Sequence, residues 1–315
     1  MKAFVTGATG FIGRTLCSKM LENGWEVKGG IRNESSSNCL PHGVEGVNIG
    51  PIENCDLQFK DFTGVDVVIH LAARVHMIGE RTASALDIFR KVNAFGAQRL
   101  ARMAAKAGIK RFIFVSSVKV NGEGAENPYT ENDTPAPEDA YGISKREAED
   151  LLVDIVSETG LEIIILRLPL VYGPGVKANF KNLIKISSMG LPLPFKGINN
   201  RRSFLYLGNL VDAIMTCLQH PKAVGETFLV SDGQDISTPD LIKMIAAVMN
   251  KKPILFSLHP GILKLLCKIA GKSEELKKLR GTLVIDSSKI RNLLSWKPPF
   301  TLGEGIRKTV KDCKL

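Results

Sequence analysis

The sequence predicts an α/β protein built on a parallel sheet, and three features of the chain point to it. Short, continuously apolar runs recur at Ala3–Val5, Val27–Ile31, Val65–Leu71, Phe112–Ser116 and Ile163–Leu168, the pattern of strands covered on both faces by helices. Stretches compatible with helices lie between most of these runs. A glycine-rich turn, Gly7-Ala8-Thr9-Gly10-Phe11-Ile12-Gly13, follows the first run directly.

Taken in order, the first run passes through that turn into a helix over Ile12–Glu22. The second run ends in Gly29-Gly30-Ile31-Arg32-Asn33. After the third comes a helix over Leu86–Ala107, whose apolar residues Val92, Leu100, Met103 and Ala107 suit packing rather than chemistry. The fourth run leads through Ser116-Ser117 to a helix over Ser144–Thr159, and the fifth strand follows at Ile163–Leu168. From about Leu170 onward, Tyr172-Gly173-Pro174-Gly175 and Gly190-Leu191-Pro192-Leu193-Pro194 punctuate a region of loops and short elements. The expected organisation is therefore a mainly cofactor-binding part over residues 1–170 and a mainly substrate-binding part over 171–315. A strand around Phe228–Val230 is placed to return to the first sheet. The stretch His259–Lys272, apolar and punctuated by lysines, reads as an amphipathic packing or lid helix.

Composition excludes several classes. With 44% hydrophobic and 23% charged residues, the 315-residue chain has an ordinary globular balance, with no sign of wholesale disorder. The net charge of +10 favours anionic ligands. Basic residues are scattered, however, and form no recognition-helix or zinc-finger pattern, so nucleic acid is not an expected partner. The six cysteines make no CxxC pair, which fits reduced thiols. No apolar run is long enough for a membrane anchor, and the chain opens directly on a strand, so the expected location is cytoplasmic. His70 ends an apolar strand and His76 follows in a loop, and no metal site is expected from them.

The glycine turn carries the first functional signal. Between a strand and a helix, glycine permits a tight turn and close approach of a pyrophosphate, while the helix start supplies unpaired N–H groups. That context makes GxxGxxG a dinucleotide site. An acidic residue at the end of the second strand would accept the ribose hydroxyls of NAD, but Arg32 stands there and suits the 2′-phosphate of NADP. The cofactor is left as NAD or NADP.

The second signal is Tyr141-Gly142-Ile143-Ser144-Lys145. At four-residue spacing on a helix, the phenol and the ammonium point toward one cleft. The lysine charge favours phenolate, which can exchange a proton with a substrate hydroxyl or carbonyl, and Ser117 can hydrogen-bond the same oxygen. Lys119 and Asn121 either contact substrate or stabilise the turn containing Gly122.

With these motifs together, the chain resembles the extended short-chain dehydrogenase/reductase family, in particular its nucleotide-sugar 4-epimerases and 4-ketoreductases of surface-polysaccharide biosynthesis. The resemblance runs along essentially the whole chain. It includes His70-Leu71-Ala72-Ala73, Asn93, Ser116-Ser117, Tyr141 and Lys145, Leu168-Pro169-Leu170-Val171-Tyr172-Gly173-Pro174-Gly175, and Arg202-Ser203-Phe204-Leu205-Tyr206-Leu207 with Asn209-Leu210-Val211-Asp212. It implies a modified Rossmann fold with a smaller carboxyl-terminal substrate-binding domain. Ser117, Tyr141 and Lys145 would be catalytic. Gly7, Gly10, Phe11, Ile12, Gly13, Arg32, Leu71, Ala72, Ala73, Asn93, Tyr141, Lys145 and Pro169 would meet the cofactor. Ser117, Lys119, Asn179, Pro192 and Arg202 would meet a UDP-sugar, and a homodimer is compatible with the family.

Three positions depart from the family pattern: Pro51 replaces an acidic residue near the adenine, Asn209 an aspartate, and Arg32, the most consequential, departs from an NAD-using epimerase. The same trio serves a 4-epimerase acting on a UDP-hexose or UDP-N-acetylhexosamine through a transient 4-keto intermediate, and a 4-ketoreductase acting on a UDP-4-keto-6-deoxyhexosamine. The reading favours the epimerase. A dehydratase is disfavoured because Ser117-Val118-Lys119 lacks the acidic pair that water elimination needs.

Overall fold

A computed structural model of the chain describes residues 1–55, 57–75, 83–259, 261–262, 268, 276 and 279–313. His76, Cys267 and most of the helix expected over His259–Lys272 lie outside the described residues.

The main sheet is parallel throughout. Its strands are β1 (Lys2–Thr6), β2 (Glu26–Ile31), β3 (Glu45–Asn48), β4 (Val67–His70), β5 (Arg111–Ser117), β6 (Glu162–Leu168) and β9 (Thr227–Leu229). They lie in the order β3-β2-β1-β4-β5-β6-β9. The expected return strand is β9, which pairs with β6 through Leu166 and Phe228. The edge strand β3 escaped the sequence reading because Glu45-Gly46-Val47-Asn48 is largely exposed and presents no apolar run. A separate parallel pair joins β7 (Leu170–Tyr172) to β8 (Phe204–Tyr206).

Strand residues alternate between two cores, as the pleat requires. On one face Ala3, Val5, Ile113 and Ile164 pack with Leu16 and Met20 of α1 (Phe11–Glu22) and Leu210 and Ile214 of α6 (Leu207–Gln219). On the other face Phe4, Val68, Phe112 and Ile163 pack with Leu100 and Ala104 of α3 (Gly96–Lys106) and with Leu152 and Ile155 of α4 (Ala140–Thr159). A third core joins Tyr172, Phe204 and Tyr206 to Phe180 and Ile184 of α5 (Ala178–Ser188), Leu241 and Ile245 of α7 (Thr238–Val248) and Ile306 of α9 (Leu302–Asp312). Helix α8 (Ser288–Leu294) adds Ile290 and Leu294 to the first core.

Two helix boundaries differ from expectation. The helix expected over Leu86–Ala107 starts as α2 (Ala83–Phe89), passes through a π-helical turn at Arg90–Phe95 and continues as α3. Helix α4 starts at Ala140 rather than Ser144, because the Asp139 carboxylate caps it by accepting a hydrogen bond from the Gly142 N–H at 2.7 Å. That cap brings Tyr141 into the first helical turn. The strand order reverses between β1 and β4, and the crevice beyond their carboxyl ends is where ligands bind in such sheets.

Candidate active site

The glycine turn sits at this reversal point. Gly7 has φ +69°, and a Cβ there would come within 2.9 Å of the Ala72 backbone nitrogen. A Cβ on Gly13 would stand 2.1 Å from the Gly7 carbonyl oxygen, so no side chain fits. Gly10 caps α1 without a side-chain bond, and the first turn of α1 holds no acidic residue. The first N–H groups and the positive end of the helix dipole are therefore left to an anion such as a pyrophosphate. Phe11 and Ile12 follow, half-buried against the first core. The donor set and its lack of Cβ atoms fit a dinucleotide.

Adjacent loops complete the crevice. Leu71 N–H donates to the Thr6 carbonyl at 3.3 Å, and Ala72 N–H donates to the Thr6 hydroxyl at 3.3 Å, binding the loop after β4 to the end of β1. That hydroxyl also pairs with Nδ1 of the buried His70 at 2.6 Å. Burial, reinforced by the nearby Lys145 charge, pushes the His70 pKa down to about 3, so the ring is neutral. Asn93, in the π-helical turn, accepts from the Arg74 N–H at 2.8 Å and donates to the Arg74 carbonyl and the Ser144 hydroxyl, both at 3.0 Å. It ties the loop carrying Ala72 and Ala73 to α4. Arg32 is exposed just beyond β2, and Pro169 is buried between β6 and β7.

Ser117 ends β5 beside Tyr141, where its hydroxyl favours the ionised phenol. The Tyr141 ring meets Phe89 edge-on, with centroids 6.3 Å apart. Burial drives the phenol pKa up to about 12, opposed by the Lys119 charge and the Ser117 hydroxyl. Lys145, on the same helix, turns toward β5: its Nζ donates to the Val115 carbonyl at 2.7 Å and lies 3.7 Å from the Phe114 ring centroid. Burial, opposed by Glu149, lowers its pKa to about 7.

The residues assigned to substrate are more dispersed. Lys119 forms ion pairs with Glu123 and Asp139 close to Tyr141. Arg202 is part-buried, donates to the Gly281 carbonyl at 3.0 Å and feels the Glu123 charge. Asn179 is exposed in the first turn of α5, and Pro192 is exposed in the loop after it. Among the described contacts, none joins Asn179 or Pro192 to the Ser117–Tyr141 pair.

Sequence reasoning missed a buried network behind the helix. Glu149 accepts from the Ser116 hydroxyl at 2.5 Å and from Arg167 through Nε at 3.1 Å and Nη2 at 2.6 Å. Arg167 also donates to the Asn121 side chain at 3.2 Å. The signal was present: Arg167 is the lone charge inside an apolar strand run, and Glu149 lies one helical turn beyond Lys145. Asn121 thus belongs to this turn-supporting network. The departure at Asn209 also has a local reason. Its amide donates to Asp232 at 2.7 Å and to the Phe300 carbonyl at 2.8 Å, where an aspartate would repel Asp232. Among the described residues, no group of histidine, cysteine, aspartate and glutamate is arranged to hold a metal, and no helix is long and apolar enough to cross a membrane.

Residues 3–231 match the family model described as the NAD dependent epimerase/dehydratase family. The chain belongs to that family. It is an enzyme fold of the modified Rossmann type. A UDP-glucose 4-epimerase of Vibrio cholerae is 42% identical over 98% of this chain and 94% of its own length. The solved structure of a Thermotoga maritima UDP-glucose 4-epimerase with UDP-glucose superposes with a TM-score of 0.80 at 25% identity, covering 100% of this chain and 99% of its own. A Bacillus cereus UDP-glucuronic acid 4-epimerase, solved with UDP-glucuronic acid and NAD, gives a TM-score of 0.81 at 25% identity and the same coverage.

Proposed function

We propose that the chain is an NAD-dependent UDP-sugar 4-epimerase. The observation that carries this reading is the 42% identity to the Vibrio cholerae 4-epimerase along nearly the full length of both chains. The contact between Ser117 and Tyr141 at the end of β5 supports it. Gly7, Gly10 and Gly13 hold the pyrophosphate on α1, with Leu71, Ala72, Ala73 and Pro169 along the cofactor. When bound, NAD supplies the acceptor that takes a hydride from C4 of the sugar and the donor that returns it. Arg32 then carries no 2′-phosphate.

Tyr141 takes the proton from the C4 hydroxyl as phenolate and gives it back after the transient ketone has turned over. Ser117 hydrogen-bonds the same oxygen in both states. Lys145 holds positive charge near the phenolate and, with Asn93, fixes the wall of the crevice. Arg202 offsets the charge of the UDP diphosphate, and Asn179 and Pro192 belong to the surface that meets the nucleotide. The division near residue 170 gives each half one of the two ligands.

The enzyme acts in the cytoplasm as a homodimer. Exposed Phe95, before α3, and Val153 and Val156 on α4 offer the apolar contact; sedimentation is expected to give twice the 34.4 kDa chain mass.

A product assay tests the reaction. With UDP-glucose or UDP-N-acetylglucosamine, we expect interconversion with the C4 epimer and no net change in NADH absorbance. Stoichiometric loss of NADPH with a UDP-4-keto-6-deoxyhexosamine, and no epimer from either UDP-hexose, would establish the ketoreductase instead.

A further inference from the structure

We propose that Lys119 is a positioning residue: it clamps the Ser117 turn onto the first turn of the Tyr141 helix and holds a second positive charge beside the phenol. This rests on the reading of Ser117 and Tyr141 as the proton-handling pair, and goes beyond it by giving Lys119 a task other than substrate contact.

Four geometric facts place the clamp. Ser117 caps the short 3-10 turn Val118–Val120, its Oγ accepting a hydrogen bond from the Lys119 N–H at 3.2 Å. That turn lies directly on α4, since a Cβ on Gly142 would come within 2.7 Å of the Lys119 carbonyl oxygen. The Lys119 ammonium donates to Glu123 at 2.7 Å and to the Asp139 carboxylate. Asp139 in turn caps α4 by accepting from the Gly142 N–H three residues on, so the cap encloses Tyr141. One side chain thus links the turn that Ser117 caps to the cap that starts the Tyr141 helix. Two of its three N–H donors are committed to carboxylates of the protein.

The charges facing Tyr141 fix the direction of the effect. Lys119 and Ser117 approach from the β5 turn and Asp139 from the cap of α4, whereas Lys145, one turn further along the same helix, turns to the Val115 carbonyl with neutral His70 near it. Phe89 of α2 contributes only a ring. Glu123 and Arg202 stand behind Lys119. Lys119 is the charge that most favours phenolate, and Asp139 opposes it. Replacing Lys119 by a neutral residue of similar length would leave the Asp139 carboxylate facing the phenol without its counter-charge.

The test uses the full-length, NAD-loaded protein, in which the cationic nicotinamide adds to the charges that favour phenolate and draws its midpoint below that of the free protein, and follows tyrosinate absorbance from about pH 8 to about pH 11.5, with Tyr141→Phe as the blank for the other three tyrosines. We expect Lys119→Met to raise the Tyr141 midpoint by about one pH unit, a tenfold loss of phenolate at fixed pH. Lys119→Arg should restore most of it. The pH–rate profile for a UDP-hexose should move in the same direction, with kcat reduced and KM little changed. An unchanged midpoint together with a raised KM would overturn the proposal and return Lys119 to the substrate surface. A shifted midpoint in a protein that epimerises no UDP-hexose would uphold the clamp and remove the epimerase reading.

Discussion

Tyr141→Phe is expected to lower kcat for 4-epimerisation by about 10³-fold, within the range that a positioned proton-transfer group contributes. The substitution removes one oxygen and keeps the ring, so the edge-on packing on Phe89 survives. The cost therefore falls on the reaction step. The glycine turn and the loop after β4 are untouched, so NAD stays bound and KM for the sugar nucleotide moves little, as for a group acting chiefly in the transition state. Steady-state kinetics beside a direct NAD-binding measurement separates the two. A loss of less than about tenfold would mean that another group or water handles the proton. Ser117→Ala should cost less, because Ser117 hydrogen-bonds the reacting oxygen but is not the proton acceptor in this scheme.

The pH dependence of the unmodified enzyme follows from the same pair. Burial raises the phenol to about 12 in the free protein, so at neutral pH it carries its proton. Oxidation of the sugar needs the ionised form. The rate must therefore rise with pH until the phenol is ionised, and each positive charge near it moves that rise to lower pH. Lys145, with its pKa lowered to about 7, keeps only a fraction of its charge at neutral pH and loses the rest before the phenol ionises, so in the free protein the charge that acts on the phenol is that of Lys119. A carboxylate or other anion brought into the crevice would raise that fraction.

The five principal strands, the return strand β9 and the glycine turn were legible because they depend on local rules. A strand buried on both faces must be continuously apolar, and a helix start that receives a phosphate must shed its Cβ atoms. The spacing of Tyr141 and Lys145 was legible for the same reason, as both lie on one helix. What escaped depends on contacts between distant segments. The edge strand β3 is held by pairing with β2, not by burial of its own side chains. The start of α4 was placed too late because the cap is Asp139, and a proline-rich approach through Pro135 and Pro137 masked it. The role of Lys119 was unreadable because its partners Glu123 and Asp139 lie on opposite sides of a loop, and only the fold brings their carboxylates together.

The buried pair of Glu149 and Arg167 makes the sharpest stability prediction. Their side chains are only 4% and 5% exposed, and both ends are fully engaged, through Ser116 on one side and Asn121 on the other. Desolvating two charges costs several kcal/mol, offset here by the paired hydrogen bonds between guanidinium and carboxylate. Glu149→Leu alone leaves Arg167 buried without its counter-charge and Ser116 without its acceptor. That variant should lose about 3–5 kcal/mol, which lowers Tm by roughly 10 °C for a chain of this size. Glu149→Leu combined with Arg167→Met removes both charges and should recover most of that loss, because the desolvation cost disappears with them. Thermal unfolding of the two single variants and the double variant completes a cycle whose interaction energy is large only if the pair is mutually dependent. Equal destabilisation in the single and double variants would show that packing, not charge pairing, holds this layer. The double variant also tests a link to the site: Glu149 favours the charged form of Lys145, so without it Lys145 should lose its charge at lower pH.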